Sequence, residues 1–189
     1  MMEEEVIFYR EWLPLDKELF RILAILADCG GSFCGNLSDL CRKLSLTPQT
    51  KNRNCLAAAI RSLEEQSFII VNQQNRTYEL RISAKSEEIH VARRWVTPIL
   101  QHAYSSASVS WEAVLKTLIW ITNNRLSMVT DEMIAADLKL SISTIGDAKN
   151  VLSKELKAIS REIVKVKNLN GEARNIGQEL FAVAAWSDE

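Results

Sequence analysis

The 189-residue sequence has little of what interrupts, staples or anchors a chain. Six glycines and three prolines are spread along it, and no segment is compositionally biased. Disordered and low-complexity classes are therefore excluded. No apolar run approaches the roughly 18 residues of a membrane span; the longest, residues 22–27 and 118–122, fall far short. The opening Met-Met-Glu-Glu-Glu has the wrong charge for a secretory or transit peptide. A cytoplasmic protein with no membrane partner is expected. The four cysteines, Cys29, Cys34, Cys41 and Cys55, are separated by four, six and thirteen residues, and the only histidines, His90 and His102, lie downstream. There is no Cys-x-x-Cys pair, and a structural zinc site needs two close ligand pairs. Cys29 and Cys34, flanking Gly30-Gly31, offer one half-site at most. No metal and no cofactor are expected. Cys41 and Cys55 read as small core residues on helices, and Cys29 and Cys34 as bounding a turn. No Ser/His/Asp signature, phosphate-binding glycine loop or paired carboxylates appear, so no catalytic residue is assigned and an enzyme is not expected.

What is present is an ordinary globular composition, 47% apolar and 25% charged, in a chain long enough for two domains of about 80–90 residues. The same order of elements occurs twice. In the first half, Leu15, Leu19, Ile22, Leu23 and Leu26 recur at helical spacing. Asp16 is placed to cap that helix and Gly30-Gly31 to stop it. A short helix over residues 37–44 follows, with Asn36 as cap and Leu37, Leu40, Cys41 and Leu44 on one face. After the bend Ser45-Leu46-Thr47-Pro48, a third helix runs from Thr50 or Asn52 to Gln66, with Leu56, Ala59, Ile60 and Leu63 inward. Two β-prone runs, residues 68–71 and 78–82, close the half around the polar turn 72–77.

The second half repeats the pattern. A helix over residues 110–124 carries Trp111, Val114, Leu115, Leu118 and Ile119, with Ser110 as cap and Glu112 in the first turn, where negative charge is favoured. Val129 is one extended residue. Thr130-Asp131-Glu132 opens a second helix ending at Leu138, and Leu140-Ser141 makes a tight turn. Ser141 caps a third helix with Ile145, Ala148, Leu152 and Leu156 inward. β-Runs at 163–166 and 180–184 bracket the turn 167–171, whose Asn170-Gly171 is a hairpin signal. Between the halves, Ser86-Glu87-Glu88 starts a helix with Ile89, Ala92, Val96 and Ile99 or Leu100 on one side, and Pro98 kinks or ends it. Ser105-Ser106-Ala107-Ser108 is the nearest thing to a linker.

The run Asp131-Glu-Met-Ile-Ala-Ala-Asp-Leu-Lys-Leu-Ser-Ile-Ser-Thr-Ile-Gly-Asp-Ala-Lys-Asn-Val-Leu152 is similar to the helix-turn-helix of bacterial winged-helix proteins. Ala135 lets two helices cross closely and Ile145 plugs the gap between them. In the first half, residues 40–46 resemble the second helix and turn. Leu56-x-x-x-Ile60-x-x-Leu63-Glu64-Glu65-Gln66-Ser67-Phe68-Ile69 resembles the third helix running into the wing; this half departs from the pattern by the longer bend 47–52. The resemblance covers most of residues 15–82 and 110–185. It implies a mainly α fold with small β-hairpins (α+β), with a winged-helix domain over residues 1–82, a helical connector over 83–109 and a second winged-helix domain over 110–189.

In such folds the third helix enters the major groove and the wing reaches adjacent minor groove or phosphate. Net charge is −1, which by itself does not favour a polyanion. The distribution is uneven: residues 42–81 carry seven cations against three acids, and residues 149–174 again seven against three, a net of +4 in each. Gln49-Thr50-Lys51-Asn52-Arg53-Asn54 is a run of hydrogen-bond donors, in which Asn and Gln suit adenine and Arg suits guanine. The expected DNA-binding residues are therefore Gln49, Thr50, Lys51, Asn52, Arg53, Asn54 and Arg61, with Gln74 and Arg76 on the first wing. In the second half they are Ser143, Thr144, Lys149 and Asn150 on the third helix, with Lys167 and Arg174 on the wing. The outward positions Ile142, Ser143, Gly146, Asp147 and Asn150 include an acid, which weakens the second helix as a DNA reader.

The function expected is sequence-specific binding of double-stranded DNA. Two tandem, non-identical units resemble plasmid or phage replication initiators, and the opening Phe8-Tyr9-Arg10-Glu11-Trp12-Leu13-Pro14-Leu15 is loosely similar to their start. A transcription regulator is the near alternative. The other class is a protein-interaction scaffold resembling the tandem winged-helix accessory subunits of bacterial condensins. Further candidate partners are a second copy of the chain and a replication or transcription protein.

Overall fold

The computed structural model describes residues 4–83, 86–106, 109–124, 126, 128–167 and 170–182. They form a mixed α+β structure with small antiparallel sheets. The chain divides into two units, residues 6–88 and residues 1–5 with 89–189. The strands β1 (Glu5–Tyr9) and β5 (Glu88–Ala92) straddle that division.

In the first unit, β1 leads into a 3-10 turn, Arg10–Trp12, which seats Trp12 in the interior at right angles to buried Phe8, ring centres 6.4 Å apart. Helix α1 (Lys17–Asp28) buries Phe20, Leu23 and Leu26. It ends at Gly30 and Gly31, whose φ values of 75° and 89° lie in the left-handed region that a glycine adopts without steric cost. The chain then forms a strand, β2 (Ser32–Gly35), that the sequence pattern did not announce. Only Phe33 of its four residues is buried, and a single buried position leaves no alternation to read. Cys29 is the helix C-cap at the start of the turn, as expected, but Cys34 lies beyond it as an exposed strand residue.

Helix α2 (Leu37–Lys43) starts at a reciprocal cap: the Asn36 side chain accepts from the Ser38 and Asp39 amides, and the Asp39 carboxylate accepts from the Asn36 amide. Helix α3 (Thr50–Glu65) buries Leu56, Ala59, Ile60 and Leu63, the stripe its spacing predicts. Cys55 is exposed, so it is not the core residue expected: one position before Leu56, it has turned about 100° away from the buried stripe. Strands β3 (Ile69–Gln74) and β4 (Thr77–Ile82) pair antiparallel, and β4 lies between β3 and β2. Buried Leu80 sits at the middle of this sheet, opposite Phe33 and Val71. The hairpin closes through Asn75 and Arg76 alone, tighter than the six-residue turn expected. Asn75 takes φ 57° there, a conformation asparagine tolerates.

From the division onward, residues 88–92 are strand and only Arg93–Leu100 are helix (α4), with Pro98 in its last turn. The longer helix expected from Ser86 does not form. Burial alternates along β5, with Ile89 and Val91 inside, and that two-residue period outweighs the weaker helical spacing. Positions 84–85 and 107–108 of the expected connector lie outside the described residues.

Helix α5 (Trp111–Asn123) is buried along nearly its whole length, including Glu112 and Lys116, and packs on α4, α6 (Asp131–Leu138), α7 (Ile142–Asn150) and β7 (Ala173–Ala182). Thr130 caps α6 through the Met133 amide, and Ser141 caps α7 through the Thr144 amide at 3.1 Å. One π turn, Val151–Glu155, continues α7 before β6 (Ile159–Lys167), which pairs antiparallel with β7. Val129 pairs through its backbone with Gln178 on the other edge of β7. Both units thus run helix, extended segment, helix, helix, hairpin, and in both the last strand is the central one. Residues 168–169 of the expected turn and 183–184 of the expected last β-run lie outside the described residues.

Leu56→Ala is expected to destabilise the first unit by about 2–5 kcal/mol through the cavity it opens. Arg61→Ala, on the exposed side of the same helix, should stay within about 0.5 kcal/mol. Urea unfolding of the intact chain separates the two.

Candidate nucleic-acid interface

Burying Leu56, Ala59, Ile60 and Leu63 leaves the opposite side of α3 to solvent, so Lys51, Asn54, Cys55, Ala58 and Arg61 follow one another along an exposed stripe. No acid falls on that stripe before the last turn. Gln49 and Thr50 are exposed at its start. Asn52 and Arg53 are half-buried and serve the local structure. The Asn52 amide donates to the Thr47 carbonyl at 2.8 Å, closing the bend 47–50 onto the helix, and Arg53 donates to the Thr50 hydroxyl at 3.3 Å. Burial holds the Cys41 thiol above its ordinary pKa, and the charges of Arg53 and Arg42 oppose that shift. The six-residue donor run therefore splits into exposed donors and two residues that shape the bend. Cys55 and Ala58 belong to the exposed stripe and were missed; helical spacing alone places them there.

On the first hairpin, Gln74 and Arg76 are exposed at the turn end. Arg81, in contrast, pairs with Glu79 at 2.6 Å on the outer face of the sheet.

The second unit treats its expected residues differently. Ser143 and Asn150 are exposed on α7 and Thr144 is half-buried, with the Ser141 hydroxyl 3.0 Å from that of Ser143 and 2.7 Å from that of Thr144. Lys149 is not a surface cation: it is 1% exposed, which corrects its assignment as a DNA contact. Its position one residue after Ala148 and four after Ile145 puts it on the buried stripe. The ammonium donates to the Asp131 carboxylate at the start of α6 and to Gln178 Oε1 at 2.9 Å, and Gln178 Nε2 donates to the same Asp131 oxygen. Burial is the main influence on this amine and pushes its pKa down; Asp131 opposes the shift. No cation is left on the exposed positions of α7.

Lys167 and Arg174, both expected as DNA contacts, are both exposed but lie on opposite faces of the second hairpin. Lys167 faces Ala173 across the ladder, and Arg174 faces Val166. Neighbouring strand residues point to opposite sides. The register shifts between Val164 and Lys165, leaving Ile176 of β7 without an opposite number.

Glu155, at the end of the π turn, accepts from the Ser105 amide at 2.6 Å and hydroxyl at 2.8 Å, bonds that hold its pKa below the ordinary value.

Among the described residues no cluster of His, Cys, Asp or Glu is arranged to hold a metal ion. No helix there is long and apolar enough to cross a membrane. No protein-family model matches the chain, and no curated protein matches it either.

The buried cluster generates an asymmetric prediction. Asp131→Ala leaves a buried ammonium without its carboxylate and is expected to cost about 3–5 kcal/mol. Lys149→Met leaves a partly solvated carboxylate that still accepts from Gln178, and should cost less, about 1–3 kcal/mol. In Asp131→Ala the amine pKa falls further, so between that lowered value and the ordinary amine value of about 10.4 the unfolded chain binds more protons than the folded one. Stability lost in this variant should therefore return as the pH rises through that window. Urea unfolding of both variants at neutral and alkaline pH measures it.

Proposed function

We propose that the chain is a sequence-specific double-stranded DNA-binding protein built from two winged helix-turn-helix units, and that the first unit reads the sequence. The observation that carries this reading is the exposed stripe of α3, where Lys51, Asn54 and Arg61 share one edge of the third helix. The sheet order β2-β4-β3, with the hairpin β3–β4 directly after that helix, supports the winged-helix part. On this reading α3 lies in the major groove, Asn54 reaches a base edge, Lys51 and Arg61 reach phosphates, and Arg76 reaches backbone from the wing. A replication initiator or a transcription regulator both fit such a reader.

The second unit supports a different role. The one cation of α7 is buried, and the exposed positions of that helix, Ile142, Ser143 and Asn150, are neutral. A protein-binding surface, of the kind a tandem winged-helix scaffold uses, fits that half better than base reading.

Fluorescence anisotropy with a duplex library tests the DNA reading. Lys51→Ala and Arg61→Ala should weaken all sequences alike and each reduce the log–log salt slope by about 0.9. Asn54→Ala should relax preference at one base pair, by about 1–3 kcal/mol. Salt-independent binding, or none at low ionic strength, sinks the proposal. A cysteine footprint gives a second readout. Bound duplex should shield Cys55 from alkylation while leaving Cys34, exposed on the sheet, as reactive as before. Equal protection of both, or of neither, contradicts a complex seated on α3.

A further inference from the structure

The outer face of the second unit's sheet carries an inference independent of DNA binding. Its inner face is fixed by Ile159, Leu180, Gln178 and Val129, all buried. The alternate positions point outward: Ser160, Glu162, Val164 and Val166 on β6, opposite Phe181, Glu179, Gly177 and Arg174 on β7. Met128 lies over Gly177, so closely that a side chain there would collide with it. Met128 is 43% exposed, and Val166 and Phe181 are each 49% exposed.

Two features give this face its charge pattern. Glu162 and Glu179 stand directly opposite each other, an arrangement of like charges that weakens a strand pair, and among the described residues neither has a cationic partner. Arg174 lies on the same outer face, on the far side of Val164 and Gly177. The acid pair and the Val166–Arg174 pair each lie two β6 residues from Val164, about 6.6–6.8 Å along the strand. A two-fold axis across the strands at Val164 and Gly177 therefore brings Glu179 of one copy over Arg174 of the other, and the reverse. Glu162 meets Val166, and Met128 and Val164 form an apolar centre. The Arg174–Glu179 pairs and the apolar centre match themselves, the requirement for an isologous interface, while Glu162 stays at the edge against Val166.

We propose that the outer face of β6–β7 is a self-association surface, and that two copies of the chain stack through it with reciprocal Arg174–Glu179 ion pairs.

The test is the solution mass of the full chain without DNA, by analytical ultracentrifugation across the micromolar range. A concentration-dependent dimer is expected. Arg174→Glu alone and Glu179→Arg alone should each raise the dimer Kd by about tenfold or more, because like charges then meet twice. The double variant carrying both changes should restore it. Circular dichroism checks that the exposed substitutions leave the fold intact. A wild-type chain that stays monomeric, a dimer indifferent to Arg174→Glu, or a double variant without rescue overturns the proposal. So does a result in which Arg174→Glu weakens DNA binding while the mass stays unchanged, which would return Arg174 to the DNA-binding set.

Discussion

A third helix that buries one side against its neighbours leaves only its other side for a partner, and each unit is organised by that constraint. In the first unit the buried stripe is apolar from Leu56 to Leu63, so every polar residue of α3 is driven to the bend or to solvent. In the second, the stripe through Ile145, Ala148 and Leu152 takes Lys149 with it. The same topology therefore delivers a polar, cationic surface in one half and a depleted one in the other. Unequal surfaces on the two halves follow from packing before any ligand is considered.

Once Lys149 is inside, its charge dictates the surroundings. A buried ammonium is tolerated only with a carboxylate and further hydrogen bonds. Asp131 and Gln178 supply them, and they come from the first turn of α6 and from β7. Gln178 also holds Val129 through its backbone, with bonds of 2.8 and 3.0 Å. One side-chain cluster thus connects two helices, the hairpin and the single extended residue that completes the sheet. An apolar residue at position 149 would fill the space without specifying how those four pieces meet.

Much of this was legible in the sequence. The inward set of α3, the buried Ile145, Ala148 and Leu152 of the second unit (Leu156, expected inward with them, is only half-buried past the π turn), the caps at Asn36 and Ser141, the helix start at Thr130, the stop at Gly30-Gly31 and the isolated extended Val129 all follow from spacing and local hydrogen-bond chemistry. So did Lys149, had its position on the stripe been weighed above its charge, and Cys55, had its angle been weighed above its small apolar side chain. Other features were not legible. The bond from Asn52 to the Thr47 carbonyl depends on how the bend folds back. The separation of Lys167 from Arg174 depends on the pairing register and its shift, because one extra residue in a strand exchanges inside for outside. β2 is too short to show a period. The function of the exposed stripe rests on chemistry and resemblance, since side-chain placement alone names no ligand.

The π turn at Val151–Glu155 bears on how the two faces of the second hairpin came to be assigned. A π turn accommodates one residue more than the α-helical turn it interrupts, and each helical residue turns the chain by about 100°. The exit of α7 into β6 is therefore set by a single inserted position. Losing it would roll the hairpin's point of departure by roughly a quarter of a revolution about the helix axis. In evolutionary terms, one codon at this turn sets the direction in which the second hairpin leaves its helix.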